Sequence, residues 1–193
     1  MNRDRRRQWN LRARIDTLAG MVLLPVGERV AGGIVTASPP EWVRAAAPQI
    51  EPDYVDLFTM TTPLEETAEG WARAFFGDVP SPSEWLIWRA VLGLGLASGP
   101  SPETIAGWRV GAREPAWIRL DTGSRALTCH LIVRVDDGSV MLATLLRYDR
   151  PLRGLQWRIL STVHRALVPR IFADAEAALR ENAGPPGGSD HRS

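Results

Sequence analysis

From Leu152 to about Asn182 the sequence holds one helical period without a break, and no other segment constrains the fold as strongly. Leu155, Ile159, Val163, Leu167, Ile171, Ala175 and Ala178 recur at three- and four-residue spacing, which predicts a long amphipathic helix with an apolar stripe to bury. Trp157, Leu160, His164, Val168 and Phe172 widen that stripe. Pro169 removes the hydrogen bond to the Arg165 carbonyl, so a bend is expected there, and Gly184-Pro185-Pro186 supplies helix-stop chemistry. So wide an apolar face exceeds what one flat sheet can cover. The excess is either packed solid or lines a pocket.

The partner for this helix is written just before it. Ile105 to Glu114, Ala116 to Thr122, Ser124 to Asp136 and Ser139 to Asp149 read as four short strands, broken at Glu114-Pro115, Gly123 and Asp136-Asp137-Gly138. The last break contains Asp-Gly, a hairpin signal. Consecutive hairpins predict an antiparallel meander rather than βαβ units. In the third run Leu127, Cys129, Leu131, Val133 and Val135 share one face, expected to look into the core, while Ala126, Thr128, His130, Ile132 and Arg134 share the other. Tyr54 to Thr61 reads as a further strand.

Three helix starts combine an S/T-x-x-E capping box with proline at the first helical position: Ser38 to Glu41, Thr62 to Glu65 and Ser81 to Glu84. They predict helices near 39–47, 63–77 and 82–96. Trp71, Ala72, Phe75 and Phe76 form a buried stripe on the second, and Trp85, Trp88, Leu92 and Leu96 one on the third, which Gly99-Pro100 stops. The resulting class is α+β. Residues 1–50 are expected to be a partly disordered extension with a short helix, 51–183 the folded domain and 184–193 a disordered tail. The first twenty residues read as such an extension or as sequence ahead of a start at Met21.

Composition narrows the function. Hydrophobic residues make up 45% of the chain and charged residues 23%, enough for a sizeable core. The net charge of +1 creates no global field for nucleic acid or an anionic membrane, and all of the positive charge is arginine. Lone Cys129 lies in an apolar, β-branched run, as a buried thiol would, and fits a reducing, cytoplasmic setting. No apolar stretch is long enough to span a bilayer, and Asp4, Asp16, Pro25 and Glu28 interrupt any signal-peptide pattern.

The element order, together with Asp53-Tyr54-Val55-Asp56-Leu57-Phe58, Trp71-Ala72-Arg73, Gly107-Trp108, Leu142-Ala143-Thr144 and Val163-His164-Arg165 with Pro169, resembles the helix-grip fold of the START, polyketide-cyclase and plant-allergen superfamily (SRPBCC type), in particular an uncharacterised bacterial family within it. The resemblance runs from about Pro52 to Leu179. It implies a curved antiparallel sheet gripping the long C-terminal helix, with a cavity between them. Related modules occur fused to NAD(P)-binding dehydrogenase-like domains, so a role as the ligand-free partner subunit of an oxidoreductase or other complex is one expectation.

The first expectation is a binding module for a hydrophobic or aromatic small molecule, lined by Trp71, Phe75, Trp88, Trp108, Leu131, Arg147, Tyr148, Leu160 and His164. The alternative is a cyclase- or dehydratase-like enzyme in which His164, with Arg147 or Tyr148, acts on a polyketide-like substrate. Against this stands a histidine at the edge of the core, bonded to a backbone carbonyl. Asp53 and Asp56 are a conceivable carboxylate pair, though strand-edge charges bound to arginine are commoner. The histidine and cysteine spacing matches no metal site, so neither metal nor cofactor is expected. Gly93-x-Gly95 follows a predicted helix and lacks the context of a dinucleotide loop. The sequence gives no oligomeric state.

Overall fold

The computed structural model describes residues 29–77, 94–97 and 101–183. Seven strands form one antiparallel sheet in the order β1-β2-β7-β6-β5-β4-β3. They are β1 (Val30–Ile34), β2 (Tyr54–Thr61), β3 (Thr104–Ile105), β4 (Trp108–Glu114), β5 (Trp117–Gly123), β6 (Leu127–Asp136) and β7 (Ser139–Tyr148). Among the described residues three helices accompany them: α1 (Glu41–Ala46), α2 (Ala68–Phe76) and α3 (Pro151–Asn182). The protein is α+β with a curved antiparallel sheet and a long C-terminal helix, as the hairpin pattern predicted. The Asp137-Gly138 turn joins β6 to β7 with Asp136 facing Ser139, and Gly138 at φ 71° provides its left-handed step.

Several local expectations needed correction. The first predicted β-run divides at Ala106-Gly107, a two-residue turn with both residues at positive φ, leaving a short β3 before β4. Strand β1, assigned from sequence to the extension, pairs with β2 over its whole length. Helix α2 starts at Ala68 rather than Pro63, because the cap is Thr67, whose Oγ1 accepts from Gly70 N at 2.9 Å. Thr62 is occupied elsewhere: its buried hydroxyl donates to Glu176 and accepts from Leu64 N. Ser38 makes no cap either, and Pro40 holds that position for α1. Most of the predicted 82–96 helix lies outside the described residues. Its last part, Leu94–Leu96, is not helical: Gly95 N donates to Gly123 O, and Ala97 N donates to Gly107 O.

The two sheet faces are unequal. The inner face carries Phe58, Met60, Ile118, Leu120, Leu131, Val133 and Leu142, packed against Trp71, Ala72 and Phe75 of α2 and Val168, Phe172 and Ala175 of α3. Leu127, Cys129, Leu131 and Val133 face inward, with Val135 packed on the same cluster, as the alternation predicted. The outer face carries a smaller cluster in which α1 and Ile50 cover Val55, Ile132, Ala143 and Leu145.

Helix α3 runs unbroken through Pro169 and packs chiefly on α2, with contacts to β1 and β7. Its orientation differs from the expected one. Trp157, Ser161, Val168, Phe172, Ala175 and Glu176 are buried, whereas Leu155, Ile159, Val163 and Leu167 are exposed. Large aromatic rings and a set of ion pairs determine which side faces in. Phe172 stacks edge-on to Phe75 at 4.8 Å, and Glu176 bonds Arg29, Thr62 and Arg180. The Arg29–Glu176 contact of 2.6 Å is buried and ties the chain ahead of β1 to the end of α3. Burial opposes the charge on Glu176, but hydrogen bonds from Arg29, Arg180 and Thr62 outweigh it and hold the carboxyl below its usual range.

Candidate functional site

Polar side chains interrupt the inner face where β2, β7 and the first half of α3 meet. Strand alternation places Tyr54 and Asp56 inward on β2, and the β2–β7 register sets Thr144 opposite Asp56. Helix α3 brings Trp157, His164 and Arg165 onto them. Tyr54 donates its hydroxyl to Asp56 Oδ2 at 2.7 Å, and His164 Nε2 reaches the same oxygen at 3.1 Å. Thr144 Oγ1 is 3.4 Å from His164 Nε2, and Arg165 Nη1 donates to the Tyr54 oxygen at 3.4 Å. Trp157 closes the group, its ring centroid 5.4 Å from Tyr54 and 5.5 Å from His164.

Asp56 is 0% exposed, and its second oxygen, Oδ1, has no hydrogen-bond partner; neither does the indole N–H of Trp157. A fully buried carboxylate with one unpartnered oxygen is costly, and such orphans call for an explanation. Burial, then the neighbouring Asp56 charge, pushes the Tyr54 phenol far above its ordinary value, so Tyr54 is held as a donor. Burial, then the Asp56 and Asp121 charges, raises the Cys129 thiol, which is buried as its neighbours implied. The His164 side chain is 23% exposed, so the buried carboxylate connects to the surface through one imidazole. His164 engages Asp56 through Nε2, which leaves Nδ1 as the ring nitrogen not turned to the carboxylate.

The sequence singled out His164 but misjudged its partner. Asp56 binds a phenol and an imidazole rather than an arginine, because its place in the strand turns it inward. Asp53 does not join it; its carboxylate accepts from Tyr148 N at 2.6 Å. Alternation in Tyr54-Val55-Asp56 was the signal available in the sequence, since Tyr54 and Asp56 share a face with Phe58. Arg147 is on the outer face, exposed and paired with Asp149, so it cannot act together with His164. Tyr148 is inward, half-buried, and its phenol is pushed up to about 12 by burial and Asp53. Leu160 packs on the core edge; Trp71, Phe75, Trp108 and Leu131 are core residues; Trp88 lies outside the described residues.

Three of the expected lining residues border clefts elsewhere. Trp71 borders one of about 740 Å³ between the Thr62–Thr67 segment and the β6–β7 hairpin. Arg147 and Tyr148 border another, of about 510 Å³, beside Gln49 and Asp53. Among the described residues no group of three or more His, Cys, Asp or Glu is placed to hold a metal ion, and no helix is long and apolar enough to cross a membrane.

A second histidine–aspartate pair lies on the outer face. His130 Nδ1 is 2.5 Å from Asp121 Oδ1, Arg119 bonds both Asp121 oxygens at 2.8 and 3.2 Å, and Arg119 Nη1 donates to Ala46 O at the end of α1. Burial works against the Asp121 charge, yet the hydrogen bonds from His130 and Arg119 prevail and keep the carboxyl below its ordinary value. Asp121 lies directly over Gly111 at the irregular step of β4, where a Cβ would collide with the carboxylate.

Fold and site together define an α+β protein with a buried His–Asp–Tyr cluster at its helix–sheet seam. Comparison with known proteins gave no matching family model, no matching curated relative and no matching solved structure.

Proposed function

We propose that the chain is a helix-grip module that binds a hydrophobic or aromatic small molecule at the seam between β2, β7 and the first half of α3. The observation that carries this reading is the orphaned Oδ1 of Asp56, buried beside an imidazole that reaches solvent. A ligand bearing one hydrogen-bond donor satisfies that oxygen, and its flat apolar body suits the aromatic wall of Tyr54 and Trp157. Entry is at His164. Native mass spectrometry of the purified full chain tests it: a bound small molecule is expected, and is expected to be lost in Asp56→Leu. Protein that is empty as purified, and stays empty after incubation with a library of aromatic and polyketide-like compounds, would falsify the proposal.

The His164–Asp56 contact favours a second reading, proton transfer on a bound cyclase- or dehydratase-type substrate, with His164 as base and Asp56 orienting it. Arg147 has no part in that version. Exchange of an acidic C–H proton of the bound compound into deuterated water, abolished in His164→Gln while binding persists, separates catalysis from binding alone.

A further inference from the structure

The outward side of α3 carries a feature that neither the core nor the His164 cluster uses. Leu155, Ile159, Val163 and Leu167 follow one another at four-residue spacing and are between 45% and 70% exposed. They form a continuous apolar ridge about 18 Å long at 1.5 Å rise per residue. Scattered exposed apolar residues are ordinary, but a ridge of four on one helix face marks a contact surface.

Charge points to the occupant. From Arg150 to Ala173 the sequence contains Arg150, Arg153, Arg158, Arg165 and Arg170 and not one Asp or Glu, although the whole chain is only +1. Arg165 is turned toward Tyr54, and Arg170 is 3.7 Å from Asp174 at the far end of the stretch; Arg158 is exposed alongside Leu155 and Ile159. An apolar ridge with exposed Arg158 beside it, in a stretch that holds no carboxylate from Arg150 to Ala173, fits an anionic surface. A second copy fits poorly, because two such faces would bring like charges together.

We propose that this face of α3 seats the protein on the surface of an anionic lipid bilayer, with Leu155, Ile159, Val163 and Leu167 entering the headgroup–acyl boundary and arginine meeting the headgroups. The helix lies in the plane of the interface; it does not span. The inference does not depend on the ligand reading, since none of the four residues belongs to the Asp56 cluster.

Sedimentation of the full chain with vesicles tests it, using phosphatidylcholine alone against an equimolar mixture of phosphatidylcholine and phosphatidylglycerol. Binding to the mixed vesicles alone is expected, weakened by added salt because exposed charges are screened. Ile159→Ser with Val163→Ser should weaken binding roughly tenfold or more, since two apolar side chains no longer leave water. The exposed positions should leave the melting temperature unchanged. Arg158→Glu, which leaves the ridge intact, should also weaken binding. No partitioning to the mixed vesicles at low salt overturns the proposal, as does equal binding to phosphatidylcholine alone. It is equally overturned if the double variant dissolves a dimer seen by light scattering while vesicles bind nothing. A melting temperature lowered in the double variant as far as a core substitution would lower it shows that another part of the chain covers the ridge, and overturns it too.

Discussion

The sheet holds a histidine–aspartate pair on each face, and the two differ in how completely the carboxylate is satisfied. On the outer face both oxygens of Asp121 are bonded, by Arg119 and His130, and Arg119 extends the network to the end of α1. On the inner face Asp56 is more deeply buried, yet Tyr54 and His164 share one oxygen and the other is bare. The same two residue types thus serve different ends. A saturated carboxylate under a guanidinium fork fastens α1 to the sheet. A half-saturated one is costly to bury, and that cost is what the proposed ligand would relieve.

The largest effect expected from this contrast is on stability. Asp121→Ala leaves Arg119 and His130 without their common acceptor in a mostly buried site and should cost about 3–5 kcal/mol, the usual loss when one partner of a buried pair is removed. Urea denaturation followed by tryptophan fluorescence measures it. A loss under about 1 kcal/mol, typical of an exposed pair, would mean that the outer network contributes little.

Acid should report on the same pair. The folded-state pKa of Asp121 lies below its unfolded value of about 3.9, so the folded protein binds fewer protons and stability rises with pH through that window. Its contribution is complete above about pH 5 and fades as pH falls through the folded value. Glu176 shifts in the same direction and adds to the slope. Asp121→Asn should therefore flatten the acid limb of a stability–pH curve without abolishing it. An acid limb as steep as that of the wild type would remove Asp121 from the account.

How much of this was legible in the sequence varied with the kind of signal. Strand alternation and the Asp-Gly turn gave β2 and β7 to within a residue and β6 to within three at its start, because these are local and the burial of one face enforces them. The rotation of α3 was not legible. Its two apolar stripes, one beginning at Leu155 and one at Trp157, differ little in hydrophobicity, and long-range partners chose between them: Phe75 for Phe172, and Arg29 with Thr62 for Glu176. His164 was legible as a candidate because it sits on the Trp157 stripe. Asp56 was not, since pairing it with His164 needs the tertiary contact of a strand with a helix more than a hundred positions later. β1 was obscured by two glycines in a five-residue strand, which weaken any propensity signal.

On the inner face, Tyr54→Phe should produce an intermediate effect. It removes the 2.7 Å hydrogen bond to Asp56 and leaves a buried carboxylate held by His164 alone, a change worth roughly 1–3 kcal/mol. Because the phenol is held protonated, Phe alters hydrogen bonding and not charge. A fully stable Tyr54→Phe protein would show that Asp56 needs no second donor, and the carboxylate would then rank as satisfied as Asp121.

The smallest stability change, and the sharpest contrast, is expected from Asp56→Asn. The amide is nearly isosteric, so Trp157 and Thr144 keep their packing. Its oxygen can still accept from Tyr54 and His164, and the desolvated charge is gone. The gain offsets the weakened hydrogen bonds, and stability should remain within about 1 kcal/mol of the parent or rise above it. The matching change on the outer face, Asp121→Asn, breaks a charge-assisted network and should be clearly destabilising. Paired melts of the two variants make the comparison directly. If Asp56→Asn destabilises as much as Asp121→Asn, the inner carboxylate is a structural anchor like the outer one, and the orphaned oxygen no longer supports a binding site.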